Sequence, residues 1–459
     1  MRKLALSDEI LMSIEKPARY IGGEYNSVMK DKEQVDVRFC MCFPDVYEIG
    51  MSHLGIQILY DMFNRREDTW CERVYSPWPD LHKVMKEQHI PLFALESQDP
   101  LKEFDFLGIT LQYEMCYTNI LQVLDLAEIP IWSKDREKGD PIVIGGGPCS
   151  YNPEPIADFF DIFYIGEGET VYGDLIELYK IYKHSDMTRE EFLIKVSQIP
   201  GLYVPALYDV TYHEDGTIAS FGPKYEEVPK TILKQVVTDM SSAVYPEKPV
   251  VSYMKVTQDR VVLEIMRGCI RGCRFCQAGM IYRPTRPKDV NVLKHYAEAM
   301  LDNTGQEEIT FSSLSSSDYQ SLSELTDCLI EKMDNNHVNI SLPSLRIDAF
   351  SLDVMQKIQD IMNSLRQNPP AEFAGHKVTA VRDYKADTVT DVATGAVKPT
   401  GLPNSNVLYY ELTDDAWVCV RPSGTEPKVK FYMGVKEDSI AHAEAALESL
   451  KDAMTELVK

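Results

Sequence analysis

The sequence lacks any long apolar run of the kind that crosses a membrane. No stretch of its 459 residues approaches the roughly 20 consecutive apolar residues that a spanning helix requires. The first residues, MRKLALSDEI, carry Asp8 and Glu9 where a secretory signal peptide has its apolar segment. We therefore expect a cytoplasmic protein without a membrane partner.

Basic residues are scarce relative to acidic ones. The sequence has 47 Lys and Arg against 71 Asp and Glu, a formal net charge of −24. A field of this sign repels the phosphate backbone of nucleic acids. General nucleic-acid binding is therefore disfavoured, although a local basic pocket is compatible with this charge.

Disulfides are not expected, because thiols stay reduced in the cytoplasm. Seven of the 10 cysteines are scattered, most of them in apolar runs where buried packing is the simplest interpretation: Cys40, Cys42, Cys71, Cys116, Cys149, Cys328 and Cys419. The other three are clustered within RGCIRGCRFC and require a different explanation.

Residues 35–185 alternate short apolar runs with helical patterns. Predicted strands include VDVRFCMCF, FDFLGITLQ and PIVIGGG, with helices such as HLGIQILYDMFNRR between them. This alternation predicts a Rossmann-like parallel sheet with helices on both faces. Ligands of such sheets bind at the carboxyl ends of the strands. Those ends carry residues 44–50, Thr110 to Gln112 and Gly145 to Gly147.

The rest of the chain predicts two further types of structure. Residues 201–255 form an irregular, partly β linker with a turn at HEDG, and three βα units begin at VVLEIMRGC, EEITFSS and VNISLPS. After a helix at 352–367, strand patterns such as NVLYYEL and AWVCVRP precede one long C-terminal helix. That order predicts a small α+β domain with a mostly antiparallel sheet.

The clustered cysteines are Cys269, Cys273 and Cys276, in C-x3-C-x2-C spacing at the end of a predicted strand. Three thiolates on one short loop can each ligate one iron of a [4Fe–4S] cluster and leave the fourth iron open. Gly268 and Gly272 would let the backbone turn tightly around the cluster, and Phe275 would shield it from water. A zinc site without its fourth ligand and a chance coincidence of cysteines are the alternatives.

With this motif, residues 1 to about 352 resemble an uncharacterised radical S-adenosylmethionine (SAM) family with an N-terminal cobalamin-binding-type domain. The resemblance implies an enzyme with a [4Fe–4S] cluster on the three cysteines. It also implies SAM on the open iron, a reductant protein as partner and a substrate that the sequence does not identify.

The resemblance extends to SAM contacts only in part. The family's Gly-Gly-Glu stretch is replaced by FSSLSSSD at 311–318, so that Ser313 is a candidate contact together with Phe275. Ser344 and Arg346 are candidates for the SAM carboxylate. Equally, Arg346 can pair with Asp348 or Asp353 at the surface.

The resemblance to cobalamin-binding domains is weaker. The family's Asp-x-His-x-x-Gly pattern becomes Asp45-x-Tyr47-x-x-Gly50, and His53 lies three residues past the glycine. Either cobalamin binds without a protein ligand to cobalt, or the domain has lost it. The glycines at 145–147 are equally explained by a tight turn.

A second candidate site lies in RPSGTEPKVKFY. Arg421, Ser423, Gly424, Thr425 and Lys428 offer a guanidinium, two hydroxyls, loop amides and an ammonium, which suit a phosphate dianion. A solvated basic turn is the alternative. This loop and its surroundings, from about residue 352, resemble the C-terminal domain of phosphohexomutases, which implies phosphosugar binding.

Phosphomutase activity is not expected. That family's phosphoserine loop, Asp-rich magnesium loop and sugar-recognition loop are absent from the sequence. A phosphoryl shuttle needs its nucleophile and its metal. The C-terminal domain is therefore expected to bind a phosphosugar at most.

These interpretations predict an α/β multidomain protein. The expected ranges are a cobalamin-binding-type domain at 1–200, the linker at 201–255, a truncated radical SAM partial barrel at 256–354 and the phosphohexomutase-type domain at 355–459. The two families join within the helix near 355–363. Three βα units are half of what the family's barrel needs, which leaves a strand edge that favours self-association. Either the chain is a fusion of two fragments with little function, which we favour, or it packs in a new way.

Overall fold

The computed structural model describes residues 4–333, 339–341, 343–344, 352–422 and 429–456. The chain divides into two compact units, of which the first comprises 1–314 and 321–341 and the second 315–320 and 342–459. The first unit contains parallel sheets, and the second contains an antiparallel sheet. Among the described residues, no helix is long and apolar enough to cross a membrane.

The N-terminal part of the first unit is a doubly wound α/β structure, as predicted. Its elements follow in the order α1 (Asp8–Ser13), β1 (Val37–Phe43), α2 (Tyr47–Gly50), α3 (Leu54–Asn64), β2 (Thr69–Tyr75), α4 (Pro79–Gln88), β3 (Phe106–Thr110), α5 (Tyr117–Leu126), β4 (Ile142–Gly146), β5 (Ile162–Tyr164), α6 (Tyr172–Lys183), α7 (Arg189–Val196) and β6 (Leu202–Tyr203). The strand order is β2-β1-β3-β4-β5-β6, parallel except for β6, which runs antiparallel to β5. Every residue of β1, β2 and β3 is buried. Strands that are buried on both faces have nearly continuous apolar sequences, and any charge within them is compensated by a partner.

Strand β2 was not predicted, because Glu72 and Arg73 interrupt its apolar pattern. Both side chains are buried in the sheet. Arg73 pairs with Glu24 at 2.9 Å and with Glu96 at 2.7 Å, and Glu72 pairs with Arg38 at 2.6 Å. Pairing with partners that are remote in sequence makes this burial tolerable.

The remainder of the first unit carries the cysteine motif. Its elements are β7 (Tyr208–Tyr212), β8 (Ile218–Pro223), β9 (Val261–Glu264), β10 (Met266–Arg267), α8 (Ala278–Ile281), β11 (Arg286–Pro287), α9 (Val290–Thr304), β12 (Glu308–Ser312), α10 (Leu322–Met333) and β13 (Asn339–Ser341). Strands β7 and β8 form a hairpin across the predicted HEDG turn. Strands β13, β12 and β9 form a parallel three-stranded sheet in that order, which confirms the three predicted strands and, with α9 and α10, the first two predicted βα units.

The second unit has the predicted α+β architecture. Its elements are α11 (Leu352–Gln367), β14 (Glu372–Phe373), β15 (His376–Asp383), β16 (Thr388–Asp391), β17 (Val397–Lys398), β18 (Leu408–Leu412), β19 (Trp417–Pro422), β20 (Val429–Gly434) and α12 (Ile440–Glu456). The antiparallel order is β17-β16-β15-β18-β19-β20, with β14 paired to β15. Met362 and Leu365 of α11 share a core with Leu450 and Met454 of α12. The short strands β14, β16 and β17 were not predicted.

Candidate functional site

The cysteine loop (residues 268–276) begins where strand β10 ends. Gly268 has φ +79°, and a Cβ atom there would lie 2.5 Å from the carbonyl oxygen of Pro284. A glycine is therefore required, as predicted. The prediction for Gly272 is wrong: its φ is not positive, and a Cβ atom there would have no neighbour within 4 Å.

The three cysteines share this loop without converging on a point. Cys273 is exposed, Cys269 and Cys276 are half-buried, and the backbone N–H of Cys276 donates to the carbonyl of Cys273 at 3.0 Å. In the part of the chain that the structure describes, no group of three or more His, Cys, Asp or Glu side chains is arranged to hold a metal ion. The three thiols are suitable ligands for an iron–sulfur cluster and lie at a suitable place in the fold. To bind one, the loop would have to bring the three sulfur atoms closer together.

Phe275 does not have the shielding role that the sequence suggested. Its side chain is 85% exposed.

Two arginines flank the cysteine loop and face each other across the β10–β11 ladder. Arg267 is the register partner of Arg286, an arrangement that would be repulsive by itself. Arg267 donates to Glu264 at 2.8 and 2.9 Å and to Glu169. Arg286 donates to both carboxylate oxygens of Glu167, at 2.6 and 2.7 Å. We call these five residues the ion-pair cluster.

Within the ion-pair cluster, the pKa values of Glu167 and Arg267 are shifted toward the charged forms despite burial. Burial by itself would raise the pKa of Glu167, but hydrogen bonds from Arg286 and from the backbone N–H of Val237 hold that pKa below its usual value. Burial also opposes the charge of Arg267, yet Glu264 and Glu169 raise its pKa above the usual value. The cluster therefore ties the loop after β5 to the strands on both sides of the cysteine loop.

A cavity of ≈ 500 Å³ opens beside the cysteine loop, within the first unit. One wall comes from the carboxyl ends of the N-terminal strands and includes Thr110, Gln112, Gly146 and Gly147. The opposite wall comes from β9, β10 and the end of β12 and includes Glu264, Met266, Arg267, Gly268, Ser312 and Ser313. The predicted strand ends after β3 and β4 thus line the cavity. Residues 44–50 do not, although Ser52 to Gly55 do.

Tyr47, which stands where the resembled family has its cobalt-ligating histidine, faces away from the cavity. It is 1% exposed, and its hydroxyl bonds to Glu24 and Ser252, each at 3.0 Å. Gly50 of the same pattern has a packing reason, since a Cβ atom there would lie 2.2 Å from the ring of Tyr75. Packing in the core therefore accounts for both Tyr47 and Gly50.

His53 lines the cavity and caps helix α3. Its Nδ1 accepts from the backbone N–H of Ile56 at 3.3 Å, so the neutral ring carries its proton on Nε2. Burial lowers the pKa of His53 to about 4, with a smaller opposing contribution from Gln112. With Nδ1 engaged and Nε2 protonated, His53 does not fit the role of a cobalt ligand.

The other candidate SAM contacts are only partly described. Ser313 lines the cavity in the first unit. Ser344 belongs to the second unit, has φ +59° and accepts from the backbone N–H of Ser316 at 3.2 Å. Arg346 lies outside the described residues, so its role stays a prediction.

The candidate phosphate loop is described only at its edges. Strand β19 ends with Arg421 and Pro422, and β20 resumes at Val429. Arg421 Nη2 donates to the hydroxyl of Tyr432 at 3.2 Å. Ser423, Gly424, Thr425 and Lys428 lie outside the described residues, so their phosphate contacts stay predictions.

Sequence reasoning missed the acidic half of the ion-pair cluster. Glu167 and Glu169 stand in the Gly-Glu-Gly-Glu stretch directly after β5, and the strand-end rule used for β3 and β4 could have flagged them. No local pattern marks Arg286, which lies 119 residues from its partner Glu167.

Three family models match the chain. Residues 55–205 match the N-terminal domain of radical SAM proteins, residues 263–383 the radical SAM superfamily, and residues 362–451 the phosphoglucomutase/phosphomannomutase C-terminal domain. The chain thus resembles radical SAM proteins in its N-terminal and core parts and phosphohexomutases in its C-terminal part. Residues 362–383, which two models match, lie in the second unit and include β15 of its antiparallel sheet.

Curated relatives follow the same division. An uncharacterised protein of Methanocaldococcus jannaschii is 28% identical over 317 residues, which are 68% of this chain and 56% of that protein. A phosphoglucomutase of Staphylococcus aureus (strain MSSA476) is 40% identical over 85 residues, 18% of this chain and 15% of that enzyme. The chain therefore spans about half the length of the first relative and a small share of the second.

Solved structures show limited similarity. The radical SAM methyltransferase TsrM from Kitasatospora setae, with cobalamin and a [4Fe–4S] cluster bound, has a TM-score of 0.40 at 11% identity, covering 66% of this chain and 53% of that one. The cobalamin-dependent SAM radical enzyme OxsB, with aqua-cobalamin and SAM bound, has a TM-score of 0.41 at 13% identity, covering 67% and 38%. Similarity at these scores supports no inference about the ligands of this chain.

Proposed function

We propose that this chain is a radical SAM protein that binds a [4Fe–4S] cluster on Cys269, Cys273 and Cys276 and SAM in the adjoining cavity. The observation that carries the proposal is the continuity of loop and cavity. Arg267 and Gly268 line the cavity directly before Cys269. A cofactor held on the loop would therefore meet a ligand held in the cavity.

The residues around the loop have separable roles in this proposal. A bound cluster supplies the electron that cleaves the sulfonium bond of SAM. The three thiolates hold it, and Arg267, fixed by Glu264 and Glu169, orients the backbone that leads into the loop. Ser313 offers a hydroxyl group to SAM from the end of β12. A corrinoid is not part of the proposal, because neither Tyr47 nor His53 is arranged to ligate cobalt.

Activity is proposed to be impaired by the short barrel. The described part of the radical SAM region contributes the parallel strands β9, β12 and β13. A sheet of this width leaves part of the reaction pocket without a wall from its own strands. Because a radical needs a site that excludes water, we expect wasteful or slow turnover.

The test is anaerobic reconstitution of the full chain with iron and sulfide, followed by SAM and dithionite. We expect about four irons per chain and formation of 5′-deoxyadenosine. Cys273→Ala should lose the cluster, whereas Cys328→Ala, a half-buried cysteine outside the loop, should keep it. Iron binding that is equal in both variants would overturn the assignment of the cluster. Iron without product would locate the defect in the cavity.

A second candidate is phosphosugar binding by the second unit. It is favoured by the match of residues 362–451 and by the placement of Arg421 at the end of β19, beside the candidate loop. Calorimetry with glucose 6-phosphate should show binding that Arg421→Ala removes. Arg382→Ala is the matched control, because Arg382 lies on β15 and pairs with Glu411. Equal losses in the two variants would reject the site. The expected reductant protein and self-association stay predictions.

A further inference from the structure

The N-terminal wall of the cavity contains a buried hydroxyl group without a hydrogen-bond partner. Thr110, the last residue of β3, is 6% exposed, and its Oγ1 bonds to no other group that the structure describes. It lines the cavity. A buried hydroxyl that is left unsatisfied is unfavourable, so a ligand that forms a hydrogen bond with it is favoured.

The polar groups beside Thr110 are uncharged. Gln112 lines the same wall, and His53 is neutral because burial lowers its pKa to about 4. A helix N-terminus at this edge of a sheet is the usual place for an anion. At α3, however, the imidazole of His53 covers the first turn, and its Nδ1 already accepts a hydrogen bond from the backbone N–H of Ile56. The ring lies so close that a Cβ atom on Gly55 would be 2.7 Å from its Cε1.

The charged groups that line the cavity are already paired. Among the described residues that line it, Arg267 is the one Lys or Arg side chain, and it is bound by Glu264 and Glu169. Glu167 also lines the cavity and is bound by Arg286. Carboxylates outnumber guanidinium groups among the described lining residues. A ligand with a net negative charge would therefore meet repulsion from them and no unpaired cation among them.

The remaining surface is largely apolar. It includes Met41, Ile58, Leu59, Ile109, Ile144 and Val262. Such a surface favours an apolar body, and the neutral polar groups fix its orientation.

We propose that the cavity takes an uncharged ligand, with an apolar body and a carboxamide or hydroxyl group that bonds to Thr110 and Gln112, and rejects carboxylates and phosphate esters. This inference rests on the proposed function in taking that ligand as the substrate of the radical site. SAM itself is assigned to the opposite wall, beside Ser313 and the cysteine loop, and it is not excluded by the acidic lining because its sulfonium and ammonium groups outweigh its one carboxylate. The alternative is that the cavity holds only water.

The inference can be tested on the full-length chain without a cluster. Saturation-transfer NMR would compare benzamide with benzoate and phenyl phosphate, and cyclohexanecarboxamide with cyclohexanecarboxylate. Each set keeps the apolar body and changes the charge. We expect the amides to bind about tenfold more tightly than the anions, because an anion brings a charge without a counter-ion next to the carboxylates of the lining.

Two variants localise the binding. Thr110→Val should weaken amide binding about tenfold, whereas Thr310→Val should leave it unchanged. Thr310 is the matched control, because its Oγ1 is also buried without a partner among the described groups but lies outside the cavity lining. Gly146→Val should block binding. A Cβ atom there meets Tyr164 at an ordinary 3.7 Å, and the valine adds bulk at a residue that lines the cavity.

Three outcomes would overturn the inference: anions that bind as tightly as amides, amide binding that survives both Thr110→Val and Gly146→Val, or no binding by any fragment, as expected for a water-filled cavity. Failure of the proposed function would look different. Amide selectivity in a chain that assembles no iron–sulfur cluster would keep this inference and reject the radical SAM assignment. A chain that assembles the cluster but shows no selectivity for amides would keep the radical SAM assignment and reject this inference.

Discussion

Arg286 and Glu167 form a two-pronged ion pair, with N–O distances of 2.6 and 2.7 Å, that joins the N-terminal sheet to the strand after the cysteine loop. Both residues are less than 9% exposed. Glu167 follows β5, and Arg286 lies in β11, opposite Arg267. The pair therefore links the two halves of the cavity wall.

Glu167→Gln should destabilise the chain strongly. The substitution leaves the guanidinium of Arg286 without its buried counter-charge, which typically costs about 3–5 kcal/mol of unfolding free energy. Glu177→Gln is the control, because Glu177 forms an ion pair with Arg66 and its own side chain is 55% exposed. That variant should lose at most about 1 kcal/mol. Denaturant unfolding measures both, and similar losses would contradict a special role for the buried pair.

The same pair predicts an acid-sensitive component of stability. The pKa of Glu167 is lowered in the folded chain, so its contribution is fully present above the unfolded-state value of about 4.3 and is lost as pH falls through the folded pKa. Glu167→Gln should lack this component. Unfolding curves of the two proteins between neutral and acidic pH should therefore converge as the pH falls. Parallel curves would show that Glu167 ionises alike in both states.

Gly268→Ala and Gly272→Ala should differ sharply although both lie in the cysteine loop. At Gly268 the backbone has φ +79° and a new Cβ atom would lie 2.5 Å from a backbone oxygen, so we expect a loss of more than about 1 kcal/mol. At Gly272 neither condition holds, and stability should change by less than about 0.5 kcal/mol. Thermal unfolding checks the pair. Equal effects would mean that Gly268 is not held in this conformation.

Thr310→Val should stabilise the ligand-free chain. The substitution removes a buried hydroxyl that bonds to no other described group and keeps the shape of the side chain, for an expected gain of about 1 kcal/mol. Thr110→Val should give a similar gain while losing ligand. Calorimetric unfolding measures both. A loss of stability in either variant would show that its hydroxyl has a partner, such as a bound water.

His53 should stay neutral well below the usual range for histidine. Its pKa of about 4 reflects burial, so the stability that it contributes is present above the unfolded value of about 6.5 and is lost as pH falls through 4. NMR titration of the ring should give that pKa, and its nitrogen shifts should show the proton on Nε2. His53→Gln is the control for the resonance assignment. A pKa near 6.5, or a proton on Nδ1, would contradict the capping contact with Ile56.

Periodicity predicted much of the fold, because it follows from local backbone geometry. The helices α3 and α12 and the strands β1, β3, β4 and β12 lie where their patterns predicted. Strand β2 was not predicted from periodicity, because its charges are compensated by residues elsewhere in the chain, such as Glu24 and Glu96. The two-residue strands β14 and β17 are too short to carry a pattern.

The sequence by itself determined the α/β and α+β classes, the acid-rich charge balance and the three cysteines on one loop after a strand. All of these depend on composition or on residues within a few positions of each other. Only the tertiary structure decided that Tyr47 belongs to the core, that His53 caps a helix at the cavity and that Glu167 and Glu169 neutralise Arg286 and Arg267. These relationships join positions up to 205 residues apart, as in the hydrogen bond from Tyr47 to Ser252. They arise from how the sheets pack, because buried charges and hydroxyl groups find their partners only when distant strands have come together.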